Sequence, residues 1–356
     1  MTYSYDSLQQ FTTEVIVRMG FSREQAIECS KVFLAAEIRG ISTHGVIRLG
    51  DYYKLWKAGR INTSPKVSIV YETPSTAVVD GDSTLGMIPA KFSMELAIQK
   101  AKNVGTGWVS TRNSCNFGIA GYYAMMALEH DMIGICMTNA SPLVAPTFSA
   151  EAMLGTNPIA MAIPAKNQPP FVADFATTPI TRGKFTIAAK KGEKIGFGYA
   201  QDSMGNPSDD PNILEHGGSM LPLGGSREHG SHKGYCLASI VDIFSAVLSG
   251  ANFGPFVPPM VAYLPVLDKK VGEGLGHFFG AMRIDAFQEA EHFKSKMDQW
   301  IETFRNATPA SGHDRVLIPG DIERENEARI MIEGISLIPQ VESDLKQIAE
   351  KFGLAF

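Results

Sequence analysis

The chain has 356 residues, 44% of them hydrophobic and 19% charged, with a mean hydropathy of −0.02. That length points to two domains at roughly 150 residues each, and the composition to a globular chain with a sizeable core. Lys and Arg number 32 against 37 Asp and Glu, a balance that speaks against nucleic acid, because a phosphate-backbone binder needs a basic face.

The first sixty residues read as helices. Asp6 or Ser7 is placed to cap a first helix, whose apolar positions Leu8, Phe11, Val15 and Met19 recur at helical spacing before Gly20. Ser22 with Gln25 forms a capping box ahead of Ala26, Cys29, Phe33 and Ala36, and Gly40 stops that helix. A third helix is expected from Ser42 or Thr43 to Gly59. The texture then changes: 67–71 and 77–80 read as strands, 89–105 as helix, 106–111 as strand, 121–130 as helix and 132–138 as buried strand. Short strands follow at 159–164 and 171–175, then a loop-rich run over 194–234. Helices are expected at 234–249, 286–306 and 341–352.

The opening residues, Met1 to Asp6, have neither the basic nor the apolar region of a signal peptide. No run approaches the roughly 18 apolar residues of a membrane span. Cys29, Cys115, Cys136 and Cys236 lie far apart with no CxxC. A cytoplasmic chain with reduced thiols and no membrane association is the expectation.

Several chemical signatures are missing: no GxGxxG follows a strand, and there is no P-loop, HExxH or GxSxG. His229 and His232 form a local pair without a third ligand, so no metal site is expected. Five constellations remain. In Ser42–Tyr52, a helix would set His44, Arg48 and Tyr52 at i, i+4, i+8 on one face. Arg48 can then hold a carboxylate bidentately while His44 exchanges a proton with an adjacent hydroxyl; the same spacing also occurs on ordinary helix surfaces. In 112–123, Gly118, Ala120 and Gly121 let backbone approach a ligand at a helix start, or simply make a tight connection. Met153–Pro158 is a polar turn, and Asp174–Thr178 ends a strand with a carboxylate able to orient a His or a ribose, or to cap a turn. Pro222–Gly225, running into His229–Gly234, carries Lys233 just ahead of an apolar helix, which suits an anionic ligand.

Taken in order, these strings resemble the type 2 malate/L-lactate dehydrogenases, a family with sulfolactate and ureidoglycolate dehydrogenases, diketogulonate reductase and cyclic-imine reductases. The resemblance rests on Thr43-His44-Gly45 with Arg48, Asn116-Phe117-Gly118 with Gly121, Gly155-Thr156-Asn157-Pro158, Asp174-Phe175-Ala176-Thr177 with Gly183-Lys184, Gly230 to Gly234, and Gly276 to Gly280. A further family-like string is Pro319 to Glu323.

The resemblance implies a mixed α/β (α+β-like), non-Rossmann fold: an NAD(P)-binding mixed sheet flanked by helices (71–304), plus a helical domain from both termini (1–70 plus 305–356). It implies a homodimer acting on a small carboxylate substrate with NAD or NADP. By that resemblance His44 is the acid/base group, with Asn116 and Asp174 beside it. Thr43, Arg48 and Tyr52 would bind substrate; Phe117, Gly118, Thr156, Asn157, Asp174, Phe175, Ala176, Thr177, Lys233 and Asp321 would hold the cofactor. The implied reaction interconverts a 2-oxo acid and its (S)-2-hydroxy acid. Alternatives are reduction of a cyclic imino acid or diketo sugar acid, or an NAD(P)-binding protein without turnover. One departure stands out: many relatives carry His where this chain has Asn116, and Asn cannot exchange a proton at neutral pH. The proton then falls to His44 alone.

Overall fold

The computed structural model describes residues 2–356. A two-residue strand β1 (Thr2–Tyr3) leads into α1 (Tyr5–Arg18), α2 (Arg23–Ile38) and α3 (Leu49–Lys57). Next come β2 (Ser68–Glu72), β3 (Thr76–Asp80), α4 (Met87–Val104), β4 (Thr106–Ser114), α5 (Ala120–Met126) and β5 (Met132–Thr138). The middle of the chain holds β6 (Ile159–Ile163), β7 (Phe171–Phe175), α6 (Arg182–Lys191) and the short strands β8 (Ala200–Gln201), β9 (Pro207–Ser208) and β10 (Ser219–Met220). It closes with α7 (Ser231–Asp242), β11 (Leu275–Arg283), α8 (Ala290–Arg305), α9 (Asp321–Glu333), β12 (Ile335–Ser336) and α10 (Pro339–Phe352).

Seven strands form a mixed sheet in the order β2-β3-β4-β11-β5-β6-β7, with β3 and β4 parallel and every other pairing antiparallel. The central strand, β11, is therefore a late segment of the chain that enters between β4 and β5. Its glycines are required by close approach: a Cβ on Gly280 would stand 2.4 Å from the Trp108 ring, and one on Gly276 2.0 Å from the Ser245 carbonyl. In the sequence this stretch stands out only as the Gly276–Gly280 motif, whose glycines mask the strand.

Helices from both ends share the core of the sheet. Val15 of α1, Phe33 of α2, Leu49 of α3 and Ile348 of α10 lie in one buried cluster with Val109 and Phe279 of the sheet. Phe352 seals α10 against Tyr53 and Trp56. A smaller core, including Val144, Phe185, Ile213 and Met220, packs around the three-stranded sheet β10-β8-β9.

The capping box at Ser22 and Gln25 is present. The cap of α1 is Ser4 rather than Asp6 or Ser7; its hydroxyl accepts the Ser7 amide at 3.1 Å. The helix expected from residue 42 is broken. Two 3₁₀ turns, Ser42–His44 and Val46–Arg48, precede α3, because Gly45 leaves the helical region with ψ −149. The helix expected over 234–249 is α7, which continues as a π-helical segment, Ile243–Val247. Two helices, α6 and α9, were not foreseen.

Candidate active site

The turn after α2 is built around a buried acid. Glu37 accepts the Val46 amide at 2.8 Å, and burial raises its pKa against the opposing pull of that amide and of Ser42. This bond anchors the two 3₁₀ turns that carry His44 and Arg48. His44 is half-buried, with Nδ1 3.1 Å from Thr43 Oγ1. Arg48 Nε donates to the Thr43 carbonyl at 2.7 Å and Nη1 pairs with Asp51 at 3.1 Å. Burial first, and then the neighbouring Arg48 charge, pushes the His44 pKa down to about 4. His44 and Arg48 are thus electrostatic neighbours, as the spacing predicted, although the continuous helix is absent. His44 is neutral at pH 7 and placed to accept a proton.

Tyr52 lies one turn beyond Arg48 on α3, wholly buried, and its hydroxyl reaches Asn116 Oδ1 at 2.8 Å and the Asn116 carbonyl at 2.9 Å. The Gly118 amide donates to the same Oδ1 at 3.1 Å. The Tyr52 hydroxyl is accordingly spent on Asn116.

Behind this strand end stands a residue whose role was not anticipated. His277 of β11 is fully buried, with Nδ1 2.7 Å from Thr138 Oγ1 and Nε2 2.7 Å from Ser114 Oγ. Its ring stacks on Phe117 at 4.5 Å and 6°, and burial pushes its pKa down to about 3. His277 therefore grips residues 114 and 117 on either side of Asn116. The motif Gly276–Gly280 contained it; Glu37, an acid inside an otherwise apolar helix face, was the other available signal.

The end of β7 comes to the same place. Asp174 accepts the Gly121 amide at 2.8 Å, which ties β7 to the start of α5. Burial pushes Asp174 up to about 6, against that amide and the charge of Arg39. No hydrogen bond joins Asp174 to His44 among the described residues. The loop beyond continues to α6, where a Cβ on Gly183 would stand 2.9 Å from the Thr43 methyl, so the first turn of α6 touches the His44 turn. Thr177 bonds the carbonyls of Thr156 and Asn157 at 3.0 and 3.1 Å, and its own carbonyl accepts Leu223. Leu223 in turn backs Gly234, next to Lys233.

The expected cofactor residues thus divide by environment. Asn157 has φ +35 and spends its side chain on the Ala140 amide and the Ala238 carbonyl, while Phe117 and Thr177 are fully buried. Asp321, at the start of α9, is bonded to Arg305, Arg324 and the Ile318 amide. Gly118, Thr156, Phe175, Ala176 and Lys233 keep accessible surface, and Phe175 and Lys233 are exposed. Asn116 also lines a cleft of about 380 Å³ bounded by Arg60, Asn113, Ser141, Asn252 and Lys270. His44 and Arg48 are outside its lining, and Tyr52, one turn beyond Arg48, hydrogen-bonds Asn116 at its wall.

A sequence profile described as malate/L-lactate dehydrogenase matches residues 3–346. The chain belongs to the malate/L-lactate dehydrogenase family. It is 39% identical over 353 residues to the malate dehydrogenase of Pyrococcus abyssi, covering 98% of this chain and 94% of that protein. It is 40% identical over 342 residues to the L-sulfolactate dehydrogenase of Methanocaldococcus jannaschii, covering 96% and 94%. The crystal structure of malate dehydrogenase from Entamoeba histolytica matches with a TM-score of 0.93 at 35% identity, covering 100% of this chain and 99% of that one.

Membership of this dehydrogenase family implies a nicotinamide cofactor, and the donors present fit one. An exposed ring at Phe175, the exposed Lys233 ammonium in the first turn of α7, and Asn116 Nδ2, without a partner among the described residues, are suited respectively to a planar ring, a pyrophosphate and an amide or oxygen acceptor. No helix among the described residues is long and apolar enough to cross a membrane.

Proposed function

We propose that the protein interconverts a small 2-oxo acid and its (S)-2-hydroxy acid, of the malate, lactate or sulfolactate kind, using NAD or NADP. The observation that carries this reading is the His44–Arg48 pair: an imidazole held neutral beside a guanidinium, one 3₁₀ turn apart on a Glu37-anchored loop. When bound, the cofactor supplies or accepts the hydride at substrate C2. Arg48, with Nε fixed on the Thr43 carbonyl, turns the remainder of its fork to the substrate carboxylate. His44 takes the hydroxyl proton during oxidation and returns it during reduction. Asn116 Nδ2 donates to the oxygen on which charge develops.

Tyr52 orients Asn116, and Thr43 holds His44 and Arg48 in register. Asp174 fixes the start of α5 to the end of β7, from which Phe175, Ala176, Thr156 and Gly118 would contact the cofactor, with Lys233 on its phosphates. Asn157, Thr177, Phe117 and Asp321 shape that surface from beneath. The sheet body, 71–304, carries the cofactor, and the terminal helices, 1–70 plus 305–356, carry the catalytic turn. We also propose a cytoplasmic homodimer. The exposed apolar side chains Ile240, Ile243, Phe244, Val247 and Leu248, contiguous along α7 and its π-helical continuation, support pairing with a second copy.

The test is NADH and NADPH oxidation by the pure protein with oxaloacetate, pyruvate, sulfopyruvate and a cyclic imino acid, with sedimentation run in parallel. Turnover of at least one 2-oxo acid, lost in His44→Ala while NADH binding persists, is expected. Indifference to all three 2-oxo acids overturns the reading.

A further inference from the structure

The Asn116 side chain is not free to choose which of its ends meets a ligand. A backbone N–H can only donate, and the Gly118 amide points at Oδ1 from 3.1 Å. Rotating the amide by 180° would set an NH₂ group against that N–H, donor facing donor. Only glycine presents its N–H this way, since residue 118 has φ +84 and a Cβ there would stand 2.6 Å from Val32 Cγ1.

Tyr52 closes the lock from the other side. Its ring is fully buried and packs edge-on against Phe33 at 5.4 Å, so the hydroxyl has no alternative position. Both oxygens it reaches on Asn116 are acceptors, and its single proton is therefore donated to that residue. With Oδ1 occupied by two donors, Nδ2 is the one polar atom of this cleft-lining side chain without a protein partner among the described residues.

We infer that Asn116, locked by Tyr52 and Gly118, acts as a donor-only gate that selects substrates presenting a lone pair at the reacting atom. The inference rests on the dehydrogenase reading above and adds to it the basis of discrimination. A 2-oxo acid offers its carbonyl oxygen: hydride adds to C2, the carbonyl π pair moves to oxygen, and that oxygen takes the His44 proton while accepting from Nδ2. A cyclic imino acid is reduced as its iminium, whose nitrogen carries a hydrogen and no lone pair. Facing Nδ2 it sets donor against donor, which a buried polar site rejects strongly. Tyr52 is a positioning residue here, because it acts through Asn116.

The test compares kcat/KM for oxaloacetate and pyruvate with that for Δ1-piperideine-2-carboxylate, using NADH and NADPH, in the wild type, Asn116→Asp and Tyr52→Phe. Asn116→Asp keeps the shape and replaces the donor by an acceptor. It is expected to shift the oxo-acid to imino-acid ratio by roughly a hundredfold or more toward the imine. Tyr52→Phe keeps the ring and removes one of the two donors that hold Oδ1, leaving Gly118; it is expected to shift the ratio about tenfold in the same direction, with the KM for NADH within about twofold. In protein labelled with ¹⁵N-asparagine, the Asn116 amide, assigned by its loss in Asn116→Asp, is expected to give two distinct N–H signals that move together in Tyr52→Phe. Should Asn116→Asp fail to fold, the Tyr52→Phe ratio and spectrum still decide. An active enzyme whose ratio is the same in all three proteins overturns the gate and leaves the dehydrogenase reading standing. A wild type inert toward every 2-oxo acid overturns that reading, and the gate with it.

Discussion

The carboxylate of Glu37 occupies the space in which a side chain at residue 45 would begin: a Cβ on Gly45 would stand 2.0 Å from Glu37 Oε1. The same oxygen accepts the Val46 amide, so acid and glycine together define the turn that holds His44 and Arg48.

Gly45→Ala should therefore displace Glu37 and shift the catalytic turn. Misplacing reacting groups by about 1 Å costs on the order of a hundredfold in rate, and a loss of that size in kcat/KM is expected with the fold retained by circular dichroism. Glu37→Gln keeps an oxygen for the Val46 amide and should stay within about threefold of wild type. Near-normal turnover in Gly45→Ala would remove the turn from the catalytic account.

With His44 as the proposed acid/base group, its depressed pKa sets the expected pH profiles. With the free-enzyme value at about 4, the neutral imidazole needed to oxidise a hydroxy acid is fully present above about pH 5. kcat/KM for oxidation should rise through pH 4 and then stay level. Reduction needs the imidazolium, whose population falls tenfold per pH unit above 4, so kcat/KM for the oxo acid should fall with slope −1 between pH 5 and 8. The opposite limbs differ by one proton, as the overall reaction requires. Rate profiles in both directions over pH 4–9 check this; a reduction rate level up to pH 7 contradicts it.

Acid stability should report His277. Its folded pKa of about 3 lies below the roughly 6.5 of an unfolded histidine. Between those values the unfolded chain binds a proton that the folded chain does not, so stability rises with pH across the window and is lost as pH falls through it. His277→Phe keeps a ring against Phe117 and deletes the titration. The loss in unfolding free energy between pH 7 and pH 4 is expected to shrink by on the order of 3 kcal/mol. Urea melts at the two pH values measure it, and an unchanged gap would mean that other groups carry the acid limb.

Much of this arrangement was readable from residue order. The helical ends, β3 to β7 and the capping box at Ser22 followed from periodicity and cap chemistry, and the His44–Arg48 neighbourhood from spacing. What escaped reading has physical causes. In α9, polar and charged residues surround the helix and only Asp321 is buried, leaving no apolar stripe to detect. In β11, Gly276 and Gly280 read as breakers, because nothing local reveals the Ser245 carbonyl and Trp108 ring that need the room. Asn157 and Asp321 belong to recognisable strings, yet their side chains are consumed by Ala140, Ala238, Arg305 and Arg324. A motif names the residue; only packing reveals whether its polar atoms remain available.

The late arrival of β11 has a consequence for biosynthesis. In a nascent chain that has just passed residue 270, β4 and β5 lack β11, the strand that pairs with both of them. Both bordering strands then expose hydrogen-bonding edges suited to joining another polypeptide. Closure must wait for a segment some 140 residues downstream of β5, so slow maturation and a need for shielding on the ribosome follow from strand order alone.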